Sequence, residues 1–180
     1  MKKLLGILVL GLLFISTPSK ADDISDFQIE GISIGDSLLD HLTKKEIITG
    51  IKKNKKAYSH LTNEFGEVYL YKNFDEYRHL SFFVKPKDKN YTIYSIAGIV
   101  LYDDKLEQCF AKQKEIEKQF SLMFKNAKKK KYTHKFNWDP TGESVSHNIE
   151  FTFDSGDFIE INCTKYKKSI KIKYNWKDAL

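Results

Sequence analysis

The stretch from Asp104 to Phe124 constrains the fold most, because no other segment keeps a helical apolar rhythm for so long. At 100° per residue, Leu106, Cys109, Phe110, Ile116, Phe120, Met123 and Phe124 fall within one arc of about 140°. Lys112, Lys114, Glu115, Glu117 and Lys118 lie outside that arc. The helix therefore has one face for a core. Cys109 lies on that face, and the only other cysteine, Cys163, lies on a segment that alternates like a strand and shares its apolar side. Two inward-facing thiols on elements that must pack together are expected to form a disulfide. Closing the loop of some 54 residues between them adds about 4 kcal/mol on the chain-entropy view.

The start of the chain supports the same pairing. Lys2 and Lys3 form a short basic region, Leu4 to Ile15 is an apolar run, and Ser19-Lys20-Ala21 places small residues where a signal peptidase reads. Residues 1–21 are thus expected to be an export signal, leaving 22–180 as a single α+β domain. The apolar run is shorter than the ~20 residues a membrane-spanning helix needs, and no later stretch approaches that length. No cysteine stands at the cleavage point to carry a lipid. Exported proteins meet an oxidising compartment, where paired cysteines persist.

Charge narrows the function classes. The full chain has 30 basic and 24 acidic residues, a net charge of +6. Cleavage removes Lys2, Lys3 and Lys20 but no acidic residue, so 27 basic residues remain and the net charge falls to +3. Arg78 is the only arginine. Lysine cannot reproduce the bidentate contacts that arginine makes with bases and phosphates, so no nucleic-acid partner is expected. Two lysine clusters, at 52, 53, 55 and 56 and at 128–131, can meet an anionic membrane surface or envelope polymer, or simply stay solvated.

Along the chain, Gly31 and Gly35 punctuate an apolar lead into two short helices. Ser37 with Asp40 and Thr43 with Glu46 have capping-box spacing, and Leu38, Leu39, Leu42, Ile47, Ile48 and Ile51 supply the buried sides. From Tyr58 the rhythm becomes two. Glu67 to Tyr71, His79 to Lys85 and Tyr91 to Tyr102 read as strands, with a turn at Pro86 to Asn90. The third strand is apolar on both faces and is expected in the middle of its sheet. Asp103 or Asp104 is expected to cap the long helix. Lys128 to Ser146 reads as an exposed connection. A meander then follows, with strands around Ile149 to Phe153, Ile159 to Cys163 and Ile170 to Tyr174. The expected fold is α+β: a largely antiparallel sheet of about six strands, one long central helix on one face, and short N-terminal helices.

Gly35-Asp-Ser-Leu38 resembles the block that opens the GDSL ester hydrolases. The resemblance implies Ser37 as nucleophile, assisted by a histidine and an aspartate. The family's Gly-x-Asn-Asp block and C-terminal Asp-x-x-His pair are missing. Asp75 and His79 stand four apart in mid-chain, and His147 has no aspartate three residues before it. A helix cap explains Gly35, Asp36 and Ser37 without catalysis. The histidines at 41, 60, 79, 134 and 147 show no metal-site spacing, so neither metal nor cofactor is expected. Tyr69, Tyr71, Phe82, Phe83, Tyr91 and Tyr94 fall at strand positions, where they pack a sheet or, on an open face, make a ligand platform.

Ile29 to Asp40, Asp104 to Glu115 with Cys109, and Gly156 to Cys163 resemble small exported proteins of AT-rich marine bacteria that have no assigned activity. The glycine-led short helix before a meander is similar to the β-lactamase-inhibitor-like fold, which implies binding rather than catalysis. The expected function is a non-enzymatic binding or envelope-accessory protein in the periplasm or outside the cell. The alternative is a GDSL-type hydrolase using Ser37.

Overall fold

The computed structural model describes residues 24, 27–57, 64–102 and 105–167. The expected leader at 1–21, a capping role for Asp103 or Asp104, and the expected last strand at Ile170 to Tyr174 lie outside them.

The chain opens with a hairpin of β1 (Gln28–Ile29) and β2 (Ile32–Ser33). Glu30 and Gly31, at φ 54° and 75°, form its two-residue turn, a geometry that suits the twist of paired strands. Ser37 then caps a 3-10 turn at Leu38–Asp40, accepting from the Leu39 amide. Thr43 and Glu46 form the expected capping box of α1 (Lys44–Ala57): the Thr43 hydroxyl accepts from the Glu46 amide, and the Glu46 carboxylate accepts from the Thr43 amide at 2.8 Å. The Thr43 hydroxyl, which also donates to the Glu46 carboxylate at 2.6 Å, and then the Thr43 amide hold that carboxyl below its ordinary pKa.

Next come β3 (Gly66–Leu70), β4 (His79–Val84) and β5 (Ile93–Ile99), an antiparallel meander in that order. Helix α2 (Leu106–Met123) follows, then a second meander of β6 (Lys128–Lys135), β7 (Val145–Thr152) and β8 (Phe158–Lys165). The class is α+β, but a single six-stranded sheet under one central helix is corrected: the strands form three separate antiparallel sheets, and each three-stranded meander has its own helix. Each meander has one apolar face, and one amphipathic helix packs against it.

In the first unit, Ile47 is buried with Val68, Leu70, Leu80, Phe82, Val84 and Ile93, while Ile48 and Ile51 pack against that cluster. Helix and strand approach closely through glycine. A Cβ at Gly66 would fall 2.7 Å from two Ile51 carbons, and one at Gly50 would fall 3.1 Å from Val68 Cγ1. In the second unit, Phe124 is buried with Phe153 and Ile159, and Phe120 packs on Phe151 with ring centroids 6.0 Å apart. The N-terminal hairpin joins the two cores. Ile29 and Ile32 belong to the first, Ile24 to the second, and Phe27 touches both, with its ring edge-on to Phe120 at 5.4 Å.

Three local expectations are also corrected. The third strand is at the edge of its sheet, since the meander makes β4 central; residues 35–38 pair only with its beginning, through Gly35 N–H to the Ile93 carbonyl and Ile93 N–H to the Asp36 carbonyl. Lys128 to Lys135, read as connection, is an edge strand with seven of eight residues exposed, its lysines discouraging further pairing. Met123, placed on the buried stripe, is 45% exposed, while its neighbours Phe120 and Phe124 make the contact with the core at that end of the helix.

Candidate functional site

Helix α2 does not lie along the middle of its sheet. Cys109 and Cys163 draw it toward β8: their sulfur atoms are 2.08 Å apart and their Cα atoms 5.9 Å apart. The positions that hold the helix recur at about four-residue steps, which returns them to one face. Cys109 is the first. Gln113, the only buried residue of the helix, donates its side-chain amide to the His147 and Ile161 carbonyls at 2.8 Å each. Glu117 takes Lys129 at 2.9 Å and Lys131 at 2.7 Å, and Phe120 and Phe124 close the row. The hydrogen bond from Lys131 is the main cause that holds the Glu117 carboxyl below its ordinary pKa.

With α2 tethered over β8, the side of the sheet toward β6 is left uncovered, and a groove of about 420 Å³ opens there. Phe110, Gln113, Lys114 and Glu117 form its helix wall, at i, i+3, i+4 and i+7. Lys131 and Thr133 form the strand wall, with His147 and Ile149 of β7 between them. The His147 ring is met edge-on by Phe110 at 5.1 Å, and its Nδ1 is 3.3 Å from the Thr133 hydroxyl oxygen. The groove is thus apolar at its base and cationic at its rim. Lys129 and Lys131 share one carboxylate, and Lys114 forms no ion pair with any described residue.

Among the groove's described residues, Thr133 and His147 are the one hydroxyl–imidazole pair. A Thr–His contact needs a group to orient the imidazole, and among the described residues no carboxylate bonds to His147. Ser37 lies elsewhere. Its hydroxyl donates to the Asn90 carbonyl at 2.7 Å and accepts from the Leu39 amide at 3.3 Å, so both sides are committed to backbone. Asp36 likewise accepts from the Ser33 amide. The tetrapeptide that resembles the hydrolase block therefore serves here as turn and cap.

The aromatic positions divide between two environments. Phe82 and Tyr91 are core residues. Tyr69 and Tyr71 gather around His79, each ring 5.0 Å from it, while Phe65 and Tyr94 meet edge-on at 5.5 Å under the Lys85 ammonium. Between the two groups the Ser81 hydroxyl donates to the buried Glu67 carboxylate at 2.7 Å. Burial, then the Arg78 charge, push the His79 imidazole below its ordinary pKa. Of the basic clusters, the four lysines on α1 are exposed at its C-terminal end, where positive charge complements the helix dipole. Those of β6 are engaged: Lys128 with Asp154, Lys129 and Lys131 with Glu117, and Lys130 over the Tyr132 ring.

Among the described residues, no group of three or more His, Cys, Asp or Glu side chains is placed to hold a metal ion, and no helix is long and apolar enough to cross a membrane. No protein-family model, curated protein or solved structure matches this chain. In the sequence Phe110 belongs to the apolar stripe of the helix, Lys131 to a basic cluster and His147 to histidines without metal spacing. Their convergence with Thr133 and Gln113 depends on the β6–β7 pairing and carried no motif.

Proposed function

We propose that this chain is an exported, non-enzymatic binding or envelope-accessory protein whose ligand site is the groove between α2 and β6. The observation that carries the reading is the groove itself: apolar at the base, ringed by cationic and amide groups, without an oriented nucleophile. Small-molecule clefts typically span about 300–1,000 Å³ with a few convergent polar groups, and this one falls in that range. The bonded cysteine pair favours an oxidising compartment, in keeping with an export signal at residues 1–21.

The test is capture. The chain, expressed with its leader and purified with the disulfide intact, is incubated with envelope extract, washed, denatured, and assayed for released small molecules by mass spectrometry. Thr133→Trp, which fills the groove, is the control. A species released from the wild type and missing from Thr133→Trp supports the reading; identical profiles from both would end it.

A further inference from the structure

We infer that the groove selects organic anions, seating an aromatic or branched apolar body against Phe110 and Ile149 and the negative head group between Lys114 and Lys131. This rests on the binding reading above and adds the ligand class. The lining sets two lysines, 114 and 131, against one carboxylate, Glu117, and Lys129 pairs with that same carboxylate, so the local charge is positive before any ligand enters. Lys114 has no ion-pair partner among the described residues, and Lys131 already shares its partner with Lys129. An incoming anion therefore gains one unengaged ammonium and a second that is only partly neutralised, at the edge of a low-dielectric cleft. A cationic ligand would meet that same excess charge, and a neutral one would leave it unused. Phe110, fixed edge-on to His147, and Ile149, buried on the sheet, give the body of the ligand a preformed apolar contact.

The probe is naphthalene-2-carboxylate, with naphthalene-2-carboxamide as its uncharged counterpart, titrated into the full chain by calorimetry and followed by NMR. The carboxylate is expected to bind with shifts at Phe110 and His147, and the carboxamide about tenfold more weakly. Lys114→Gln, an exposed helical substitution, should weaken the carboxylate about fivefold with the circular dichroism unchanged. Raising the salt concentration should weaken it too. Equal binding of acid and amide, indifference to Lys114→Gln in a folded protein, shifts centred on Tyr69, Tyr71 and His79, or no binding would each overturn the inference. Capture from extract separates this failure from that of the binding reading. A neutral species retained by the groove refutes anion selectivity alone, whereas loss of groove-dependent capture removes both.

Discussion

The two helix-on-meander units solve one packing problem in different ways. In the first, α1 closes on β3 to the limit that Gly50 and Gly66 allow, through hydrocarbon and one buried amide, Asn54, which donates to the Glu67 carbonyl at 2.8 Å. In the second, α2 is held at separate points: a disulfide, two amide hydrogen bonds, two lysines on Glu117, and phenylalanines at the far end. Burial of apolar area responds weakly to redox state, pH or salt, whereas the disulfide of α2 responds to the first and its lysine–Glu117 pairs to the other two. The attachment by points also leaves open sheet surface beside the helix, and that surface is the groove.

The sharpest way to break the comparison is to remove the disulfide. Cys109→Ser with Cys163→Ser, or reduction, should cost about 4 kcal/mol for a sequence separation of 54. Hydrogen exchange should then show the larger loss of protection in α2 and β8, with α1 and β3–β5 less affected. Uniform loss would mean that the units do not differ as described. Alkylation of the oxidised, denatured protein should find no free thiol, because Cys109 and Cys163 are joined.

Gly66→Ala examines the other unit. The new Cβ would overlap Ile51, forcing α1 away from β3 at a cost of about 1–3 kcal/mol. Denaturant unfolding should register that cost, while naphthalene-2-carboxylate binding by the folded fraction stays unchanged. Gln113→Leu then tests whether α2 depends on its amide bonds. It removes two hydrogen bonds to carbonyls that remain in the sheet ladder, so a loss of about 1–2 kcal/mol is expected, with altered shifts at His147 and Ile161. A neutral or stabilising result would mean that apolar packing would have served α2 as well.

These contrasts also explain which parts of the fold were legible beforehand. Ser37 and the Thr43–Glu46 box announced both early turns because capping chemistry is local. Strands β3, β4, β7 and β8 were legible because one face of each alternates apolar residues, and Cys109 met Cys163 because both lay on apolar faces. Strand β6 was not, since Lys128 to Lys135 has no apolar alternation and is a strand only through its ladder with β7. The division into separate sheets was hidden for a related reason. Alternation tells which way side chains point and not which strand is neighbour to which, and an apolar Tyr91 to Tyr102 suggested a central strand where the structure has an edge. Gln113 escaped because it is polar on a face identified by apolarity. Its place four residues after Cys109 and four before Glu117 was the one available signal.

The smallest expected effect tests the most exposed tether. Glu117 is held below its ordinary pKa by Lys131 and then Lys129, so the folded state binds a proton there less readily than the unfolded chain. The stabilisation is therefore present above the unfolded carboxyl range and lost as the pH falls through the folded value; it does not appear on the alkaline side until lysine itself titrates. Both lysine side chains are well exposed, at 40% and 59%, which screens the interaction to about 0.5–1 kcal/mol. Glu117→Gln should flatten the acid limb of the stability profile by about that amount and reduce its salt dependence. The same change releases Lys129 and Lys131, so binding of naphthalene-2-carboxylate should strengthen even as the fold weakens slightly. That opposite movement of stability and affinity is expected only if the carboxylate that secures α2 also competes with ligand for the lysines of β6.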